Sequence, residues 1–185
     1  MEYIRVVMLR PTLTDIPQHP MPEGCSVRFY RPGDRKTWVR IEKAADRFNK
    51  MNGKRFDREF GHDLPALQKR CLFLLAADGR EIGTATAWYD SNVAGKPWGR
   101  VHWVAIVPEF QGKGLAKPLM TTVMNLLKSL GHERAILTTQ TPRIPAIKTY
   151  LDFGFVPDMT VDDARGAWSL VHQVLRHPTL DRVLG

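Results

Sequence analysis

The feature that most constrains the fold is the segment 101–139, where the spacing of apolar residues changes from that of a strand to that of a helix and back. Residues 101–107 are apolar at nearly every position, as in a strand buried on both faces, and Pro108 ends the run. Apolar residues then recur at helical spacing over 115–130, and a further strand is predicted at 135–139. This order of elements predicts a parallel, right-handed crossover.

The middle of the chain favours antiparallel strands. Cys71 to Ala77 is typical of a buried strand, Asp78-Gly79 is a favoured hairpin turn, and Ile82 to Tyr89 is the returning strand. Residues 46–63 are mostly charged or glycine and are interpreted as a mobile segment with room for part of a second helix; the alternative is a solvated excursion. Other strands are predicted at Tyr3–Arg10, at Cys25–Tyr30 and from Phe153, and other helices at 34–45, Ile147–Leu151 and 162–177.

Length and composition are those of one ordinary globular domain. The chain has 185 residues, of which 43% are hydrophobic and 25% charged. We expect a single domain over 1–185, with a core at about 25–157 and a C-terminal helix at 162–177. The predicted class is α/β, with a mixed, mostly antiparallel central sheet flanked by helices.

Charge and cysteine content limit the partners and the compartment. The 27 Lys and Arg against 19 Asp and Glu give a net charge of +8, which favours an anionic partner such as nucleic acid, phospholipid or a phosphorylated cofactor. Cys25 and Cys71 cannot form a disulfide framework, as is typical of a reducing compartment. No apolar run is long enough for a membrane span and the N-terminus does not resemble a signal peptide, so a cytoplasmic protein is expected. No two histidines stand at metal-ligand spacing, so no metal is predicted.

The turn between the central strand and the helix favours an anionic ligand. Gly112 and Gly114 permit backbone angles that aim successive N–H groups at a phosphate, and the helix dipole adds to this attraction. Lys113 and Lys117 add positive charge. The turn matches neither the GxxxxGK[ST] loop of nucleoside triphosphate binding nor the dinucleotide turn GxGxxG.

Two motifs give the chain a resemblance to a known family. The pattern QxxGxA is present as Gln111, Gly114 and Ala116, and residues 146–155 contain the spacings A-x-x-x-Y and Y-x-x-x-G-F. In this order they resemble the GNAT superfamily of acetyl-CoA-dependent N-acyltransferases, over about residues 25–156. The resemblance implies that the chain has the fold of this family. It also implies that acetyl-CoA is the acyl donor and that a primary amine is the acceptor. The family's final antiparallel strand after residue 156 is not evident, and the extra C-terminal helix is expected to cover the acceptor end or to make a homodimer contact.

The resemblance also implies catalytic roles. Tyr150 matches the family's general acid, and a phenol with a pKa near 10 can protonate a departing thiolate; the alternative is a tyrosine packed at a helix end. His102 lies where some members place a base, with a hydrogen-bonded core histidine as the alternative. A backbone N–H of the strand 104–107 is implied as the oxyanion donor. Direct transfer is favoured, because the chain has no GxSxG elbow and no neighbouring Cys–His pair.

The same motifs imply a set of coenzyme-binding residues on the central strand, the glycine turn and the next connection. Arg143 stands where many members carry asparagine and is expected to contact a phosphate. The acceptor pocket is expected to draw on residues 46–63 and on tryptophans that include Trp38, Trp88 and Trp103, for which core packing is the alternative. The implied coenzyme-binding set is Val104, Ile106, Val107, Gln111, Gly112, Lys113, Gly114, Leu115, Ala116, Lys117 and Arg143.

Two other functions stay open at this point. A catalytically silent acyl-CoA-binding or sensor module would keep the glycine turn without depending on Tyr150 or His102. A nucleic-acid binder is supported only by the charge, since no recognition helix or RNA-binding aromatic motif is present, so no nucleic-acid partner is expected.

Overall fold

The structure, a computed structural model, describes residues 1–90 and 97–185. These residues form a mixed α/β arrangement. The strands are β1 (Arg5–Arg10), β2 (Ser26–Phe29), β3 (Cys71–Leu75), β4 (Glu81–Asp90), β5 (Trp98–Ile106), β6 (Ala135–Gln140) and β7 (Val156–Pro157). The helices are α1 (Arg35–Ala45), α2 (Gly53–Phe60), α3 (Leu64–Arg70), α4 (Ala116–Ser129), α5 (Ile144–Asp152), α6 (Ala164–Val174) and α7 (Pro178–Leu184).

The strands are hydrogen-bonded in the order β2-β3-β4-β5-β6-β1-β7. β3 pairs antiparallel with β2 and β4, and β1 pairs antiparallel with β6 and β7, whereas β5 and β6 are parallel. The predicted mixed sheet with flanking helices is confirmed, and so is the parallel crossover from β5 through α4 to β6. The chain divides into two compact units, and it passes from one to the other after Pro17, Trp88, Arg100 and Ser129.

The first unit contains residues 1–17, 89–100 and 130–185. β1 pairs with β6 from Arg5↔Gln140 to Arg10↔Ala135 and also with the two residues of β7. In the last part of the chain, 158–185, all of it described, no strand follows β7. The C-terminal helix is confirmed as α6. A second helix, α7, begins at Pro178, directly after the end predicted for the C-terminal helix at residue 177. Proline suits the first turn of a helix because its missing N–H is not needed there.

The second unit contains residues 18–88 and 101–129. The helix allowed for in 46–63 is present as α2, and the alternative of a solvated excursion is wrong for its inner face, because Phe56 and Phe60 are both buried. Two helix starts are capped by side chains: Asn52 accepts from the N–H of Arg55 at 2.9 Å, and Asp63 caps α3 in the same way. Among the residues described, no helix is long and apolar enough to span a membrane.

Candidate active site

In the second unit the candidate site is built on β5 and on the turn that follows it. Trp103 has a φ of 49°, in the left-handed region that a bulky residue rarely adopts. The side chains of His102 and Trp103, although neighbours in the strand, both reach the carboxylate of Glu59. The alternation of side chains between the two faces of a regular strand is therefore interrupted next to the candidate base, His102. Backbone strain of this kind often marks a functional site.

Glu59, on α2, is a residue that the sequence analysis did not single out. Its Oε2 lies 3.2 Å from His102 Nε2 and accepts a hydrogen bond from Trp103 Nε1, also at 3.2 Å. Its Oε1 lies 2.9 Å from Arg55 Nε. Burial alone would raise the pKa of the Glu59 carboxyl, but the hydrogen bonds and the charges of His102 and Arg55 outweigh burial and lower the pKa to about 2. Glu59 is therefore ionised at neutral pH.

Aromatic rings surround this pair of side chains. The ring centroids of Trp38 and Trp103 are 5.5 Å apart, and the Phe60 ring lies 5.3 Å from Trp88 and 5.6 Å from His102. Trp38 is fully buried, so it is a packing residue rather than the wall of an open pocket. The His102 side chain keeps 11% of its surface exposed, enough to exchange a proton with a solvent molecule or a ligand.

Two hydrogen bonds fix the end of β5. The N–H of Val107 donates to the carbonyl of Ile82 at 2.9 Å, and the side-chain amide of Gln111 donates to the carbonyl of Ile106 at 2.7 Å. The N–H of Val107 is therefore occupied, which removes it from the donors that the sequence analysis offered to an oxyanion. Gln111 holds the turn in place through its side chain.

The turn itself leaves backbone donors open. Gly112 and Gly114 have φ values of 73° and 76°, which glycine adopts without strain. α4 begins at Ala116, and the N–H of Leu119 donates to the carbonyl of Leu115 at 3.2 Å. Within residues 1–90 and 97–185, the N–H groups of residues 114–116 donate no hydrogen bond to the protein. Free N–H groups at the start of a helix form a binding site for an anion such as a phosphate.

Positive side chains lie beside these donors. Lys113 Nζ is 4.7 Å from the centre of the Phe110 ring, and the guanidinium carbon of Arg80 is 5.6 Å from the same ring. Arg80 comes from the hairpin between β3 and β4, and the sequence analysis did not single it out. Arg80 Nε already donates to Asp78 Oδ2 at 2.6 Å, so the turn combines open N–H groups with the positive charge of Lys113, which suits a phosphate.

Tyr150 lies in the first unit, near the end of α5. Its side chain is buried, and its ring centre is 6.3 Å from that of Phe155. The N–H of Phe155 donates to the Tyr150 carbonyl at 3.0 Å and that of Gly154 to the Leu151 carbonyl at 2.9 Å, with Gly154 at a φ of 76°. This is the Schellman arrangement that ends many helices. Helix capping thus accounts for the spacing of Tyr150, Gly154 and Phe155 independently of any chemistry.

The other candidate residue of the first unit is Arg143, which precedes α5. Its Nε donates to the side-chain oxygen of Gln140, and its N–H donates to the Gln140 carbonyl at 3.0 Å. The side chain is therefore held against the end of β6, and its contact with a phosphate stays a prediction. Within the described residues, no group of His, Cys, Asp and Glu side chains is arranged to hold a metal ion.

Comparison with known sequences identifies the same turn and helices as a family domain. The sequence model of the Acetyltransferase (GNAT) family matches residues 38–155. Among curated relatives, mycothiol acetyltransferase of Pseudarthrobacter chlorophenolicus is 32% identical over 150 residues, 76% of this chain and 45% of that protein. The enzyme of the same name from Streptomyces coelicolor is 32% identical over 157 residues, 82% of this chain and 50% of that protein. The chain thus spans about half the length of these relatives.

Solved structures share the fold at lower identity. A GCN5-related N-acetyltransferase from Sphaerobacter thermophilus superposes with a TM-score of 0.66 at 22% identity, over 84% of this chain and 50% of that one. The ribosomal-protein-S18-alanine N-acetyltransferase of Escherichia coli gives a TM-score of 0.56 at 18% identity, over 70% of this chain and 76% of that one. With the family model matched over more than half of its residues, the chain belongs to the GNAT acetyltransferase family.

Proposed function

We propose that the protein transfers an acetyl group from acetyl-CoA directly to the primary amine of an acceptor. The observation that carries the proposal is the turn after β5, where the open N–H groups of residues 114–116 and the charge of Lys113 suit the pyrophosphate of coenzyme A. The same strand bears His102, whose partner Glu59 lies on α2. A proton acceptor and a coenzyme-binding turn on one strand are what this reaction needs.

The reaction requires a base, support for an oxyanion and an acid. The amine nitrogen attacks the thioester carbonyl carbon, a C–N bond forms, and the C–S bond breaks to release the thiolate of coenzyme A. In this proposal His102 takes the proton that the amine nitrogen loses, and the Tyr150 phenol supplies a proton to the thiolate. The oxyanion is met by a backbone N–H of residues 104–106, since that of Val107 is occupied.

The proposal assigns the implied coenzyme-binding residues to parts of one ligand. The pyrophosphate is bound by the N–H groups of 112–116 and by Lys113 and Lys117, while Arg143 takes a further phosphate. The strand residues Val104 and Ile106 lie along the pantetheine arm. These assignments follow from the family membership and from the free donors of the turn.

A catalytically silent acyl-CoA-binding module is the second candidate. It is favoured by the helix cap at Tyr150, Gly154 and Phe155, which explains the second motif by packing alone. The two candidates predict the same binding of acetyl-CoA. They differ in turnover and in the effect of removing the Tyr150 hydroxyl.

A thiol-release assay with acetyl-CoA and a panel of amines tests the function. The panel contains the amine precursor of mycothiol, because curated relatives are named for mycothiol, and an alanine-initiated peptide, because one structural neighbour is named for such a substrate. Release of coenzyme A that requires both protein and amine supports the transferase. Tight binding of acetyl-CoA without release by any of these amines favours the silent module.

Tyr150→Phe tests the general acid. We expect kcat to fall about 100-fold, the usual contribution of general acid catalysis, while the Kd for acetyl-CoA changes little. Tyr3→Phe, at a tyrosine that is 46% exposed, is the matched control and should leave both constants unchanged. Equal losses of kcat and affinity in Tyr150→Phe would instead assign the residue to packing.

A further inference from the structure

We propose that Glu59 is a positioning residue, which holds the His102 ring in one tautomer and one orientation and fixes the strained backbone at Trp103. The inference rests on the proposed function, because it assigns a partner to the base of that reaction. No sequence motif points to Glu59. The contacts that single it out join a helix to a strand 43 positions further along the chain.

The two oxygens of the Glu59 carboxylate have separate tasks. Oε2 lies 3.2 Å from both His102 Nε2 and Trp103 Nε1, so one atom contacts the side chains of two consecutive residues of β5. Oε1 lies 2.9 Å from Arg55 Nε, one helical turn earlier on α2. Arg55 therefore supplies a positive charge beside the carboxylate, and the carboxylate orients the two rings.

The backbone at Trp103 explains why two neighbours can share one acceptor. In a regular strand successive side chains point to opposite faces. The φ of 49° at Trp103 breaks this alternation, and it is costly for a residue with a bulky side chain. The strained conformation is held by the hydrogen bond to Glu59, by the edge-on packing on Trp38 at 5.5 Å and by the Arg55 guanidinium 5.2 Å from the Trp103 ring.

The hydrogen bond also selects a tautomer of His102. An ionised carboxylate only accepts, so the neutral imidazole carries its proton on Nε2 and has its basic lone pair on Nδ1. Glu59 contacts this ring and Arg55 lies behind it, both on α2, and the ring centroids of Phe60 and Trp103 are 5.6 Å and 5.7 Å from that of His102. The negative charge of Glu59 therefore strengthens His102 as a proton acceptor.

The test is an NMR titration of the imidazole of His102 in the wild type and in Glu59→Gln. The resonance is assigned by its loss in His102→Gln, and the measurement needs no acceptor. We expect the midpoint of titration to fall by about one pH unit or more in Glu59→Gln, because an opposite charge is removed. Glu23→Gln, at an exposed glutamate that precedes β2, is the control and should leave the midpoint in place. An unchanged midpoint in folded Glu59→Gln overturns the inference.

The pH profile of kcat/KM gives the second readout. The acid limb of the profile should move to lower pH in Glu59→Gln by the same amount as the NMR midpoint, with a lower plateau and an unchanged Kd for acetyl-CoA. Glu59→Asp retains the negative charge, so the titration midpoint of His102 in this variant should lie closer to that of the wild type. It takes the place of Glu59→Gln in the test if the glutamine variant does not fold. A working enzyme whose acid limb stays in place overturns the inference. Absence of turnover in the wild type would instead contradict the proposed function, and the titration would still decide whether Glu59 acts on His102.

Discussion

At the scale of single residues, the two cysteines have different environments. Cys71 is fully buried on β3, with its sulfur 3.9 Å from the Thr84 hydroxyl, while Cys25 is partly exposed. Burial raises the pKa of the Cys71 thiol to about 12, because the charged thiolate cannot be solvated there. The thiolate of Cys71 is thus scarce at any pH used for an assay.

This difference predicts selective alkylation. At pH 8, iodoacetamide should modify Cys25 in the native protein and leave Cys71 untouched, and both should react after unfolding in urea. Mass spectrometry of peptides from native and unfolded samples measures the two sites separately. Labelling of Cys71 at the same rate as Cys25 in the native protein would contradict the packing described for β3.

At the scale of elements, the buried Arg10 ties the end of β1 to the end of α5. Its guanidinium donates to the carbonyls of Phe153 and, at 2.6 Å and 3.2 Å, of Thr14 and Asp15. A Cβ at Gly154 would lie 3.2 Å from Arg10 Nη1, so the glycine is needed for space as well as for its φ. One side chain therefore joins the end of α5, through a buried hydrogen bond to the Phe153 carbonyl, to the segment that follows β1.

Replacing Arg10 should destabilise the fold. We expect Arg10→Met to lower the free energy of unfolding by about 3 kcal/mol, because the hydrogen bonds of the guanidinium, one of them to the buried Phe153 carbonyl, are lost together. Arg5→Met removes the same charge at an exposed position of the same strand and should change stability by less than about 0.5 kcal/mol. Urea unfolding followed by circular dichroism measures both. Equal effects of the two substitutions would show that the contacts of Arg10 contribute nothing beyond charge.

The elements that were predicted well are those in which apolar residues recur at a regular spacing along the sequence. β3, β4, β5, α4 and β6 each lie within a few residues of the prediction, because apolar spacing and the flanking glycines define them locally. Three helices were predicted only in part or missed. α2 carries just two buried phenylalanines among charged residues, α3 has a single buried leucine, and α7 begins at a proline, a residue that also often follows a helix end.

The site shows the same division between local and distant signals. The glycine turn was predicted because its residues are contiguous and its chemistry depends on the backbone. Glu59 was not, because its contacts to His102 and Trp103 depend on how α2 packs on β5. Its one local signal was the i, i+4 spacing of Arg55 and Glu59, alongside the buried Phe56 and Phe60. The occupied N–H of Val107 likewise depends on pairing with a distant strand.

At the scale of the whole molecule, the position of β1 is the clearest departure from what sequence order suggests. Residues 5–10 pair with 135–140 and with 156–157, more than 120 positions away. No pattern within a short strand specifies such a distant partner, since its register is set by the strands it joins. The start of the chain therefore lies between two strands from the last third of the chain, β6 and β7.

The proposed function requires that the turn after β5 binds coenzyme A, and calorimetric titration with acetyl-CoA tests this binding directly. Gly114→Glu places a negative side chain where we expect a phosphate, and Gly79→Glu places the same side chain at another exposed glycine, with a φ of 80° and nothing within 4 Å of a Cβ. Both variants carry a similar backbone cost of about 1 kcal/mol. We predict that the wild type and Gly79→Glu bind acetyl-CoA and that folded Gly114→Glu does not. Equal affinity in all three proteins, or no binding by the wild type, would contradict the account.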